Sequence, residues 1–189
     1  MSNSSKSFAL SRARGPILVV LAIYLLSLLA GIVMAHSGNK FALSYRDSLV
    51  SAAQSGAVLT QKSRLDQGLA DFGSNSLGAG IVTPFPMVVY RGWVGGIVSV
   101  DSHHSSRLTQ PKQAAYYFSV VLLQLLGYSL AAGAGIHAGL SIFRARPKNA
   151  GLFWYRIPRQ AMLDVLWIYA LVLPIFLTAS LWEFLSPWN

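Results

Sequence analysis

An all-α, polytopic transmembrane helical bundle is the fold this sequence predicts, and three observations predict it. Of 189 residues, 53% are hydrophobic and only 11% charged, too apolar a balance for a water-soluble domain of this length. Three long runs carry no Lys, Arg, Asp or Glu: between Arg14 and Lys40, between Lys112 and Arg144, and between Asp164 and Glu183. Each can supply the roughly 20 apolar residues that cover a hydrocarbon core of about 30 Å. The third observation is a further apolar stretch, GAGIVTPFPMVVYRGWVGG from Gly78 to Gly96, interrupted by Pro84, Pro86 and the charge of Arg91. Whether it crosses the bilayer or turns back decides the topology.

The elements are taken in chain order, within a single membrane domain of residues 1–189. Residues 1–15 form a basic N-terminus whose first eight residues, rich in Ser, read as disordered. Residues 16–35 are a spanning helix. As a signal peptide it would be cut after Ala35, but its apolar stretch is longer than a typical signal core. In residues 44–72, Leu49, Ala53 and Ala57, then Leu65, Leu69 and Phe72, recur at helical spacing without a long apolar run. That pattern reads as an amphipathic helix at the outer interface or, alternatively, as a solvated connector.

Residues 77–100 hold the proline pair. Each proline removes a backbone donor and disfavours helix in the residue before it, so a break at Thr83 to Pro86 leaves two legs of about ten residues, about 15 Å each. Half a bilayer is their reach, which makes a re-entrant hairpin; one proline-kinked crossing is the alternative. A second spanning helix over 114–143, a basic loop over 144–160 and a third spanning helix over 161–184 complete the chain.

Charge distribution favours the hairpin. Lys6, Arg12 and Arg14 precede the first helix without an acid, and the loop from Arg144 to Arg159 carries five cations without an anion. Both should be cytoplasmic. Residues 36–76 hold four bases against three acids and residues 101–113 two against one. A single crossing by residues 77–100 would put the basic loop outside, whereas a hairpin opening outward keeps both basic segments in one compartment.

Candidate chemistry is sparse. Without cysteine, thiolate metal sites, disulfides and Cys nucleophiles are excluded, and no Walker loop, HExxH pair or nucleophile with its base is present. The net charge of +9 fits cationic loops on anionic lipid headgroups rather than nucleic acid. Arg91 and Glu183 are expected as an intramembrane ion pair, a prediction common to both topologies; the functional alternative for Arg91 is a charge lining an anion path. Asp164 suits the positive end of the last helix beside Arg156 and Arg159. His103 and His104, with only Asp101 near, make a poor metal site. His137 is a weak candidate ligand for haem or a chlorin, with a hydrogen bond to a neighbouring helix as the simpler role. Gly127, Ala131, Gly135 and Gly139 recur every four residues, a smooth stripe for close helix packing, against either a partner subunit or the chain's own helices. Gly92 and Gly96 permit the same in the broken segment.

The order of features also carries a resemblance. An N-terminal spanning helix, an outer helix ending FGSNSLG with Asn75, a glycine-rich segment VVYRGWVGGIV, a long small-residue helix, a basic loop and a final LVLPIFLTASLWEFLSP resemble the stage II sporulation protein M-like family. Gln124 departs from it, standing where that family has a helix-borne Glu. The resemblance implies a bacterial multi-pass membrane protein without known catalysis or cofactor, whose namesake works in a complex organising cell-wall hydrolases. Together these readings give a non-enzymatic scaffold or accessory subunit that docks with other integral membrane proteins. A transporter or channel component, with the hairpin lining a solute or ion path, is the alternative.

Overall fold

The computed structural model describes residues 4–60, 63–77, 84–144, 152–153 and 157–186. In chain order they form α1 (Ser4–His36), α2 (Lys40–Thr60), α3 (Arg64–Gly73), α4 (Pro84–Ile97), a 3₁₀ turn (Arg107–Thr109) and α5 (Pro111–Arg144). A two-residue antiparallel ribbon, β1 (Leu152–Phe153) with β2 (Ile157–Pro158), precedes α6 (Arg159–Leu185). Three helices are long and apolar enough to cross a membrane: Phe8–His36 within α1, Pro111–Phe143 within α5, and α6. This is an all-α membrane protein, as the charge-free runs predict. Helix α1 begins at Ser4, however, so residues 4–8 are helical rather than disordered.

The middle of the bundle is closed by aromatic packing. Tyr24 of α1 stacks on Tyr128 of α5 at 6.3 Å between ring centroids, and Phe176 of α6 meets Tyr128 edge-on at 5.0 Å. All three are fully buried. Rings offset in this way gain about 0.5–1.5 kcal/mol per pair beyond the area they bury.

Where backbones approach most closely, the residues are glycines. A Cβ on Gly96 would stand 2.3 Å from the Leu28 carbonyl oxygen and 2.7 Å from Gly31 Cα, and one on Gly92 would stand 2.7 Å from the Tyr24 carbonyl oxygen. In both cases the obstacle is backbone, which cannot swing aside, so α4 crosses α1 at a distance only glycine permits. Successive contacts run from Tyr24 to Gly31 as α4 runs from Gly92 to Gly96, so α4 heads for the C-terminal end of α1.

Residues 44–72 are two helices instead of one. Ser63 caps α3: its Oγ accepts from the Asp66 amide at 3.1 Å, while Asp66 Oδ2 accepts from the Ser63 amide at 3.2 Å. This reciprocal capping box forces a new helix start. The packing face of α3 is also not its apolar stripe. Leu65 and Leu69 are about half exposed, while Gly68 lies against Ser180 and Phe184 of α6, and Asp71 bonds Ser180. A π-helical turn over 74–77 extends α3 and carries Asn75 to Tyr128. Helix α3 therefore runs from the C-terminal end of α6 toward the middle of the bundle, small and polar side inward.

The proline pair stands at the start of a helix. Pro84 and Pro86 fall in the first turn of α4, where N–H groups have no intrahelical acceptor and a missing donor costs nothing. The break expected at Thr83 to Pro86 adjoins residues 78–83, which lie outside the described residues. Helix α4 has 14 residues, about 21 Å of rise, too short to cross a hydrocarbon core. Phe41 and Tyr45 of α2 pack on Trp93 of α4 at 5.8 and 5.2 Å, which fixes the start of α2 against the far end of that helix.

Candidate functional site

In an apolar bundle the informative residues are the buried polar ones, and they gather in three places. At the end of the bundle holding the α6 N-terminus, Asp164 is fully buried. Arg12 Nε donates to its Oδ2 at 2.7 Å and a second Arg12 N–H donates to Oδ1. Gln160 Nε2 donates to Oδ1 at 3.1 Å, and His137 Nε2 lies 3.2 Å from Oδ2. One carboxylate thus ties α1, α5 and α6 together, and each of its oxygens meets two donors. Asp164 was expected as a helix-end charge beside Arg156 and Arg159; it sits six residues into α6, and its cation comes from α1. Facing a carboxylate, His137 Nε2 is the proton donor, so that nitrogen is committed to Asp164 and not open to a haem iron. Arg12 and Gln160 carried no sequence signal for this role, since a contact across 152 positions leaves no local pattern.

Midway along the bundle, Tyr128 Oη donates to Asn75 Oδ1 at 2.5 Å, Asn75 Nδ2 donates to Asp71 Oδ2 at 2.8 Å, and Ser180 Oγ donates to the same oxygen at 2.7 Å. This chain fastens α3 to α5 and α6. Asn75 is buried, and its two-sided amide satisfies an acceptor and a donor at once, which an apolar residue could not do.

The third place is a partly open cavity of about 240 Å³ between α4, α5, α6 and the 3₁₀ turn. Arg91, Arg107, Tyr116, Gln124 and Glu183 are among its lining residues. Gln124 Nε2 donates to Glu183 Oε2 at 3.1 Å, and Tyr116 Oη donates to the Glu183 carbonyl oxygen at 2.7 Å. Gln124 is therefore the donor that meets the last helix's only acid besides Asp164. Arg91, expected to pair with Glu183, shares this cavity with it. Its guanidinium carbon lies 5.9 Å from the centre of the Tyr128 ring, a cation–π distance, and its buried Nε has no hydrogen-bond partner among the described residues.

Arg107, which sequence reasoning did not single out, is placed by the loop before α5. Asp101 Oδ1 accepts from the amides of His103 and Ser105 at 2.8 and 2.9 Å, and the Arg107 amide donates to the Ser99 carbonyl at 2.9 Å. The Ser105 amide is the main reason the Asp101 carboxyl is held below the usual range. Burial, followed by the charge of Arg46, pushes the half-buried Arg107 below the ordinary guanidinium value. His104 reaches Asp47 Oδ2 at 3.0 Å, and no group of three metal-ligating side chains occurs among the described residues. No local sequence signal marks Arg107, whose neighbours at the cavity come from other elements.

The small-residue stripe divides. Gly127 faces the Phe176 ring, 2.5 Å from where its Cβ would be, and Ala131 is buried. Among the described residues, nothing lies within 4 Å of where a Cβ on Gly135 or Gly139 would stand. Gly133, off the stripe, is the glycine that receives Ile17 of α1. Comparison with family models, curated proteins and solved structures finds no match to this chain.

Proposed function

We propose that this protein is a non-enzymatic integral membrane subunit that associates laterally with other membrane proteins. The observation that carries this reading is the uncovered half of the α5 stripe. Gly92, Gly96, Gly127 and Gly133 are each met by another helix of the chain, while Gly135 and Gly139 present an open groove. In lipid, where apolar contact alone does not draw helices together, such grooves gain their packing from a partner backbone. The stage II sporulation protein M-like resemblance supports the same role, and with it a bacterial cytoplasmic membrane.

The fold is read as follows. Helices α1, α5 and α6 cross, with the basic N-terminus and residues 144–160 cytoplasmic. Helices α3 and α4 form the two legs of a re-entrant element entering from the opposite face. Two features support it: α4 is too short to cross, and both legs have their far ends at the bundle end that holds the α6 C-terminus. Leu65 and Leu69 then face lipid, which accounts for their exposure. The transport alternative is less favoured, because below Arg91 and Gln124 the buried Tyr24, Tyr128 and Phe176 close the bundle.

Co-purification from native membranes tests the docking surface. Gly135→Leu with Gly139→Leu is expected to lose the partners that the wild type retains while leaving thermal stability of the isolated chain unchanged; retention of every partner would overturn the reading. An Asn149→Cys variant in this cysteine-free chain should resist an impermeant thiol reagent added to intact cells, and rapid external labelling would reverse the topology.

A further inference from the structure

The cavity at the α6 C-terminal end differs from an ordinary packing void in what it holds. Two guanidinium groups, Arg91 from α4 and Arg107 from the 3₁₀ turn, line about 240 Å³ of unfilled space. The ion pairs within 4 Å among the described residues are made by Arg12, Arg46, His104 and His137, and neither Arg91 nor Arg107 is among them. A buried guanidinium Nε without an acceptor is costly; Arg91 Nε is such an atom. The other polar groups at the wall are already engaged: Tyr117 Oη donates to the Gly95 carbonyl at 2.9 Å and Gln124 to Glu183. What the cavity offers an occupant is two guanidinium groups set against the single carboxylate of Glu183.

We propose that this cavity binds a phosphate group, held between Arg91 and Arg107 and reached from the end of the bundle that carries Arg107. Guanidinium forks match phosphate oxygens with paired N–H donors, and about 240 Å³ accommodates a phosphorylated polar group but not a folded chain. Glu183 on the opposite wall limits the site to ligands that keep their negative charge at the arginine side. Two sources supply this chemistry: the headgroup of an anionic phospholipid, sliding in from the bilayer, or a free phosphate or phosphomonoester from water. The proposal is independent of lateral docking, since it concerns the isolated chain.

Purified full-length protein in detergent is titrated with glycerol 1-phosphate and, separately, reconstituted in nanodiscs containing either phosphatidylglycerol or only phosphatidylcholine, with binding read by native mass spectrometry and by the shift in Tm. Arg107→Gln is expected to weaken binding about tenfold, the scale of one lost charge-assisted hydrogen bond. Arg107→Lys, which keeps the charge without the fork, should fall between it and wild type. Lys112→Gln, at the exposed start of α5, serves as the control for general surface charge and should stay within about twofold. Arginine-dependent binding of glycerol 1-phosphate in detergent identifies a soluble source; arginine-dependent retention of phosphatidylglycerol alone identifies a lipid headgroup. Equal binding by wild type and folded Arg107→Gln, an equal loss in Lys112→Gln, or no binding of either probe overturns the proposal.

Discussion

At the N-terminal end of α6 a buried carboxylate meets donors from Arg12, Gln160 and His137, whereas at its C-terminal end Arg91 and Arg107 face open volume. Both ends hold charge that lipid would reject. In one the charges are matched within the chain and four donor contacts leave no room for a ligand; in the other the protein's own groups leave positive charge uncompensated. The contrast separates polar residues that fasten helices from polar residues that await something outside the chain, a distinction that residue type alone does not make.

Five substitutions sharpen or break that contrast. Asp164→Ala removes the acceptor shared by Arg12, Gln160 and His137, and because the Arg12 side chain is 39% exposed, thermal unfolding in detergent should show a loss of about 1–3 kcal/mol; a loss below about 0.5 kcal/mol would mean the cluster is wet and not a fastening. Gly127→Ala drives a methyl into the Phe176 ring and should cost about 1–3 kcal/mol as an overpacked contact, while Gly135→Ala, with open space before it, should leave stability unchanged. His137→Leu removes one of four donor contacts to Asp164 and is expected to cost about 1 kcal/mol. Smallest of all, Glu183→Gln keeps an acceptor for Gln124 and should alter stability by less than about 1 kcal/mol, yet strengthen phosphate binding by withdrawing the negative charge from the cavity wall.

Much of the frame was legible in the chain. Charge-free runs located α1, α5 and α6 because spanning length and the exclusion of charge are properties of local sequence. A helix boundary at the proline pair was legible too, because the ring that breaks a helix interior is accommodated in a first turn. The amphipathic pattern picked out Leu65 and Leu69 but not the side of α3 that packs, because Gly68, Asp71 and Asn75 gain their contacts from α5 and α6. Pairings such as Arg12 with Asp164, or Tyr128 with Asn75, were not legible, because they depend on which helices become neighbours. Arg107 escaped notice for a similar reason: a loop cation gains meaning only when Arg91 is found beside the same space.

The Arg12 to Asp164 contact also sets an order of events during biosynthesis. The guanidinium leaves the ribosome early and its carboxylate 152 positions later, so α1 must wait, with its cation at the membrane surface or in the company of a chaperone, until α6 has been made. Closure of the contact between α1 and α6 is thus timed by the synthesis of α6.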